Sequence, residues 1–308
     1  MRNKIPLIID CDPGIDDAFA LVYTKMTDAF DVRAVFSVAG NVPIEMTTLN
    51  AQFILSNLEI DTLLFEGAHS PLVGEPIIAK YAHGSNGLGG FEFLKSDLYP
   101  VKKDNPTDAY YKLLSESDGP ITIAALGPLT NLAKLFLAYP DAKNYIKEIY
   151  VMGGGVKGGN YTPTAEFNIA ADALAAQIVI NSQVKLYFVP LDTTMAITFR
   201  RDFMLCLKDS KNKLANLLYE IVNAKEKLDV LSTEPKLYLH DMITMLSIIH
   251  PEWFTLIKTH VAVELHGTLT KGMTVFDLRE YRAQKPNAFY VAQPQESVIL
   301  KHINEVLL

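Results

Sequence analysis

Asp10-Cys11-Asp12-Pro13-Gly14-Ile15-Asp16-Asp17 puts four carboxylates into eight residues, directly after an apolar run. Pro13-Gly14 makes a tight turn, and Asp16 and Asp17 then stand in the first turn of a helix, where the macrodipole favours negative charge. Helix capping accounts for one or two of the acids but leaves Asp10 and Asp12, which repel the others unless a cation lies between them. Oxygen donors without His or Cys spacing favour Ca²⁺ or Mg²⁺ over zinc. Cys11 lies inside the cluster, where the carboxylates disfavour its thiolate. A small buried hydrophobe is the simpler role for it.

The elements that must position this motif follow from periodicity. Residues 5–9, 32–38, 62–65, 121–125, 149–152 and 185–189 are apolar, β-branched runs of strand length. Between them, 15–27, 44–58, 107–115, 129–137 and 172–181 carry apolar residues at spacings of three and four, as helices do. A β-α-β-α order predicts an α/β fold: an open, mostly parallel sheet with helices on both faces and right-handed crossovers. Ligands in such sheets bind beyond the carboxyl ends of the strands, where the acidic motif falls. The last third predicts helices at 214–224, 241–249 and 296–306, with added strands at 260–264 and 289–292. No Pro/Ser/Gly-rich linker, charge block or composition shift divides the chain, so residues 1–308 are expected to form one domain.

Bulk properties narrow the function. With 49% hydrophobic and 20% charged residues the chain has ample material for a core. A net charge of −7 leaves no basic surface for nucleic acid or an anionic membrane, so a small-molecule partner is expected. The first apolar stretch meets Asp10 too early for a signal-peptide core, and no apolar run approaches bilayer length. Two cysteines, Cys11 and Cys206, suit a reducing compartment. These features together point to the cytoplasm.

The acidic segment is similar to the signature of the inosine-uridine nucleoside hydrolase family. Further similar segments follow in order: Val38-Ala-Gly-Asn41, His83-Gly-Ser-Asn-Gly-Leu-Gly-Gly90, Ala125-Leu-Gly-Pro-Leu-Thr-Asn131, Met152-Gly-Gly-Gly155, Ala165-Glu-Phe-Asn-Ile169 and Leu239-His-Asp241. The resemblance implies a Rossmann-like nucleoside hydrolase fold, hydrolysis of free ribonucleosides to ribose and base, and a homodimer or homotetramer. It implies a calcium ion held by Asp12, both oxygens of Asp17, the backbone carbonyl of Leu126 and Asp241. Asp16 matches the general base acting on the attacking water. Asp10 matches a supporting carboxylate, with capping of the turn as the alternative. Asn41, Asn160, Glu166 and Asn168 match contacts to ribose hydroxyls, and Met152 the residue under the ribose, or else core filler. His240, beside Asp241, matches the acid that assists base departure. His83 either contacts the base or orders its own glycine-rich loop.

Several segments depart from the family pattern. Gly90-Phe-Glu-Phe-Leu-Lys95 replaces a Pro-rich continuation, Leu191-Asp-Thr-Thr-Met195 varies a Leu-Asp segment, and Met242 stands where relatives often have Pro. Residues 224–238 lack the aromatic-rich lid helix expected there, and the only tryptophan, Trp253, lies outside every motif, which disfavours a purine-stacking site. The preferred base is left open. Three rival readings exist. A phosphatase opening on Asp10-Cys-Asp would want Thr or Val at position 14. A dinucleotide or phosphate loop at 153–159 matches neither glycine pattern. A nucleoside-binding protein without chemistry would leave inosine or uridine intact where a hydrolase would release free base.

Overall fold

Ile5–Cys11 forms the first strand, β1, and alternation divides its side chains. Leu7, Ile9 and Cys11 join one buried cluster, while Ile8 joins another on the opposite face. A strand apolar on both sides has to be covered on both sides, and β1 lies inside a nine-stranded sheet. The structure, a computed structural model, describes residues 4–228 and 236–308. Residues 229–235 of the divergent 224–238 segment therefore lie outside the described residues.

The remaining strands are β2 (Phe30–Ser37), β3 (Leu63–Glu66), β4 (Val101–Lys102), β5 (Ile121–Ala125), β6 (Ile146–Met152), β7 (Leu186–Val189), β8 (Thr255–Thr259), β9 (Val261–Val263), β10 (Thr274–Phe276) and β11 (Ala288–Ala292). Order in the large sheet is β4-β3-β2-β1-β5-β6-β7-β11-β8. All neighbours are parallel except β8, which runs antiparallel to β11. β9 and β10 form a separate antiparallel ribbon. The expected α/β class, with an open, mostly parallel sheet made mixed by one edge strand, is the one observed.

The helices are α1 (Ile15–Thr27), α2 (Ile44–Leu58), α3 (Lys80–His83), α4 (Pro106–Ser115), α5 (Thr130–Ala138), α6 (Phe167–Ala171), α7 (Ala173–Asn181), α8 (Leu191–Thr194), α9 (Arg201–Asp209), α10 (Lys213–Leu228), α11 (His240–Ile249) and α12 (Glu296–Leu307). α1, α2, α9, α10, α11 and α12 pack on the Leu7 face of β1; α4, α5 and α7 cover the Ile8 face. α1 is buried at every residue from Ile15 to Thr24, as befits a helix apolar on nearly all sides that is enclosed rather than laid on the surface. Among the described residues, no helix is long and apolar enough to cross a membrane.

The expected strand at 260–264 is observed as β9, outside the large sheet, and β8 just before it was not expected. β8 ends at Thr259, and beyond His260 the side chain of Asn287 takes both the N–H of Val261 (2.8 Å) and its carbonyl (2.9 Å). Those two bonds replace the sheet ladder and let the chain leave for the β9–β10 ribbon. The two-residue β4 and the short helices α3, α6 and α8 are below the length that periodicity resolves.

From β1 the strand order runs outward through β2, β3 and β4 on one side and through β5, β6 and β7 on the other. Connections leaving the carboxyl ends of β1 and β5 diverge, which opens a crevice between them. Asp12 follows β1 and Leu126 follows β5, so both stand at its mouth.

Candidate active site

A cavity of about 210 Å³ occupies this crevice. All the expected site residues line it except Asp10 and Asp17, and Ala79, Tyr81, Ala82 and Phe167 complete its wall. Asp17 lies just beneath, at the start of α1. Its Oδ2 accepts the Gly14 N–H at 2.8 Å, closing the helix N-terminus, while Oδ1 is buried with no hydrogen-bond partner. Asp16, Asp17 and Asp241 each place an oxygen within 4.8 Å of the others, and Asp16 Oδ1 also lacks a hydrogen-bond partner. Asp241 enters this cluster from the first turn of α11. Asp12 reaches the cavity with Oδ2 held by the Asn41 N–H at 2.7 Å. Its carboxylate fits between two glycines: a methyl on Gly127 would lie 2.6 Å from Asp12 Oδ1, and one on Gly40 would come closer still to Oδ2.

Burial, then mutual repulsion, drives Asp12 and Asp241 well above the usual carboxylate range and Asp17 up to about 7. Asp16 is raised by burial, with His240 pulling the other way. Orphaned buried oxygens in an acidic, all-oxygen cluster are what a divalent cation would satisfy, so the residues fit a hard metal ion. Asp10 is separate. Alternation sends it to the α5 face, where Oδ1 accepts from Asn131 Nδ2 at 3.1 Å and burial raises its pKa. Asn131 also donates to the Ser37 carbonyl (3.0 Å) and accepts the Ala68 N–H (2.8 Å), tying β1, β2 and the loop after β3 together.

The opposite wall consists of residues whose side chains are half spent on the scaffold. Glu166 caps α6, accepting the N–H groups of Asn168 (2.9 Å), Ile169 (3.1 Å) and Gly154 (3.0 Å). Burial nonetheless lifts it to about 7. Asn160 Oδ1 accepts the Phe167 N–H at 2.9 Å, and Asn168 Nδ2 donates to the carbonyls of Leu126 (2.7 Å) and Met152 (3.1 Å). These bonds fix each carboxamide's orientation and leave Asn160 Nδ2 and Asn168 Oδ1 for a ligand. Asn41 is likewise engaged, donating from Nδ2 to the Asp12 carbonyl (3.0 Å) and, at 3.4 Å, to Asp17 Oδ2. The loop at 153–159 is no phosphate cradle, because Glu166, Thr274 and Asp192 already accept the amides of Gly154, Gly155 and Val156.

Two histidines face the acids. His83, at the end of α3, accepts the Ile15 N–H on Nδ1 at 3.3 Å and stands 3.9 Å from Asp16 Oδ1. Its ring comes so near the turn that a methyl on Gly14 would lie 2.5 Å from Nδ1. Burial, helped by the charge of Lys225, pushes His83 down to about 3, so it is neutral. His240, the first residue of α11, places Nδ1 2.6 Å from Thr194 Oγ1. Burial lowers its pKa while Asp16 opposes the shift.

A sequence model of the inosine-uridine preferring nucleoside hydrolase family matches residues 7–298. The chain belongs to that family. The non-specific ribonucleoside hydrolase RihC of Escherichia coli O127:H6 is 36% identical over 278 residues, 89% of each chain. The RihC of Salmonella enteritidis PT4 is 35% identical over 288 residues, 94% of this chain and 92% of the relative. Among solved structures, the plant nucleoside hydrolase PpNRh1 superposes with a TM-score of 0.87 at 28% identity, and an inosine-guanosine nucleoside hydrolase with 0.88 at 26%, each covering 98% of both chains. As a nucleoside hydrolase, the protein is an enzyme that cleaves N-glycosidic bonds of ribonucleosides. The phosphatase and pure-binder readings are thereby set aside.

Residues of this nucleoside hydrolase to which motif reasoning assigned no role are Tyr81, Phe167, Lys225, Thr194 and Asn131. Tyr81 and Phe167 adjoin motif residues in sequence and could have been found by adjacency. Lys225 reaches the site's field because Gly89 packs on α10, where a methyl would lie 2.7 Å from the Lys225 side chain. No local signal announces that.

Proposed function

We propose that this nucleoside hydrolase uses calcium, with Asp16 as the base for the attacking water and His240 as the acid for the departing nucleobase. The observation carrying this reading is the cluster of buried carboxylates with orphaned oxygens, facing histidines across one small cavity. Asp12, Asp17, Asp241 and the Leu126 carbonyl would hold the ion, an oxygen-only set suited to Ca²⁺. When bound, calcium would acidify water and gather the ribose cis-hydroxyls at one centre.

Asp16 is buried and so more basic than an exposed carboxylate, and it would stay ionised beside a bound cation, ready to take a proton. Asn160, Glu166 and Asn168, aimed by their scaffold hydrogen bonds, orient the sugar so that its anomeric carbon meets the water. His240 has Nε2 left to protonate the base as the C1′–N bond breaks. His83, neutral and accepting on Nδ1, is a poor acid and serves instead to contact the base and fix the turn. Asp10 supports the motif from behind the sheet through Asn131. The RihC relatives are named non-specific, and the single tryptophan, Trp253, lies at the far end of α11 from the cavity. Both points support acceptance of purine and pyrimidine bases. The same reading makes the protein a cytoplasmic homodimer or homotetramer engaged in nucleoside salvage.

Purified protein would be assayed for ribose release from inosine, guanosine, adenosine, uridine and cytidine, with and without a calcium chelator. Release that chelation abolishes and calcium restores is expected. Undiminished release from exhaustively chelated enzyme would overturn the metal assignment.

A further inference from the structure

His240 is aimed by a residue from a distant part of the chain. Thr194, the last residue of α8, is fully buried and places Oγ1 2.6 Å from His240 Nδ1. α8 is a short turn tied on several sides. The Leu191 N–H donates to the Gly154 carbonyl at 2.9 Å, Asp192 Oδ2 accepts the Val156 N–H at 2.6 Å, and Thr193 Oγ1 donates to the Val291 carbonyl of β11. Thr194 is therefore held by the turn, and its hydroxyl finds the carbonyls of Pro190 and Leu191 both at 3.5 Å. With the hydroxyl hydrogen turned to those carbonyls, the oxygen presents a lone pair to Nδ1.

We propose that Thr194 is a positioning residue that keeps the proton on His240 Nδ1 and thereby leaves Nε2 to serve the nucleobase. This rests on the reading of His240 as the acid. In the step, His240 first takes a proton from solvent at Nε2, and that Nε2–H bond then breaks as the C1′–N bond breaks. The electron pair of the C1′–N bond passes to the base, which gains the proton, and the imidazole is left as its Nδ1–H tautomer. Attack by water forms the new C1′–O bond and releases one proton to Asp16, which matches the one His240 gave. Solvent exchange closes the cycle. Throughout, the Nδ1–H···Oγ1 bond stays intact, so no second proton has to move.

Thr194→Val keeps the shape and removes the acceptor, leaving Nδ1–H against a methyl group. A lost hydrogen bond to a ring that carries charge in the step, together with a loosened ring orientation, predicts a kcat on inosine or uridine lower by about 10- to 100-fold, with KM within about threefold. The loss should follow the same leaving-group pattern as His240→Ala, small on p-nitrophenyl riboside, whose leaving group needs no proton. Thr194→Ser should stay within about fivefold of wild type, because the acceptor is restored. The double variant Thr194→Val/His240→Ala should be no slower than His240→Ala alone.

Additive losses in the double variant, or a leaving-group pattern unlike that of His240→Ala, would overturn the proposal. Equal losses of His240→Ala on both substrates would instead overturn the acid role, and the double-mutant comparison would still decide whether Thr194 acts through His240. ¹⁵N NMR of the intact wild-type enzyme with its ion, with His240 assigned by its absence in His240→Ala, gives a readout free of activity and of variant folding. A pyridine-type Nε2 and a protonated Nδ1 are expected; the reverse tautomer would sink the idea.

Discussion

Asp17→Asn is expected to stabilise the ion-free protein while destroying its activity. Asp17 is fully buried with Oδ1 unpartnered, and burial followed by repulsion from Asp16 lifts its pKa from 3.8 to about 7. A raised folded-state pKa means that this group's contribution to stability is fully present below the unfolded value of about 3.9 and is lost as pH rises through about 7. At about 1.36 kcal/mol per pH unit, the loss is on the order of 4 kcal/mol once pH is well above 7. Asparagine cannot ionise and can still accept the Gly14 N–H through its carbonyl. For a chain of this size, about 2 °C per kcal/mol gives a rise in Tm of up to about 8 °C for the chelated variant near pH 8.5.

Scanning calorimetry in chelator at about pH 6.5 and about pH 8.5, read as the difference between variant and wild type, isolates Asp17, because the contributions of His83 and His240, both lowered by burial, are common to the two proteins and cancel. Wild type should lose about 0.8 kcal/mol through Asp17 alone over this range, a fall of about 2 °C that the variant escapes. Calcium at about 100 times its dissociation constant should stabilise wild type by about 2.7 kcal/mol and the variant by far less. A chelated Asp17→Asn protein less stable than wild type near pH 8.5 would refute the argument. So would a stability difference between the chelated variant and wild type that fails to widen over the same window.

His240→Ala should slow inosine or uridine hydrolysis by at least about 100-fold more than p-nitrophenyl riboside hydrolysis, whereas Asp16→Asn should harm both, as steady-state kinetics on the two substrates would reveal. Gly40→Ala should displace the Asp12 carboxylate, lowering kcat and calcium affinity by about 10-fold or more, measurable by calorimetric titration; unchanged calcium affinity would count against the placement of Asp12. Uridine 5′-monophosphate should be turned over at least about 100-fold less efficiently than uridine, since Asp12, Asp16, Asp17, Glu166 and Asp241 surround the sugar with negative charge. Lys225 offsets only part of that field, and comparable efficiency for the two substrates would reopen a nucleotide-directed role.

Where structure is local, the sequence discloses it. The run ending at Asp10 reads as a strand because its apolar residues are continuous, and α1 reads as a helix because its turn and first-turn acids announce it. Asp12, Asp16, His240 and Asp241 line the cavity from the end of β1 and the starts of α1 and α11, elements whose type was legible, whereas Asn160 and His83 reach it from a loop and a short helix that periodicity does not resolve. What was hidden is long-range. The Thr194–His240 and Asn131–Asp10 hydrogen bonds join residues far apart in sequence, and the break at His260 depends on Asn287 replacing a ladder that periodicity would extend. α9 escaped notice because its buried Met204 and Leu207 give only one apolar stripe on an otherwise exposed surface.

The walls of the cavity come from both ends of the polypeptide, Asp12 and Asp16 near the beginning and His240 and Asp241 in its last third. A ribosome therefore releases most of the sheet before the acidic cluster can be completed. Nascent chains and amino-terminal fragments would carry three mutually repelling aspartates, Asp12, Asp16 and Asp17, with no partner helix to close them in. Competence to cut nucleosides would arrive in one step, when α11 docks against α1. Two separately expressed pieces, divided at exposed Lys211 between α9 and α10, should each be inert and regain turnover only on reassociation.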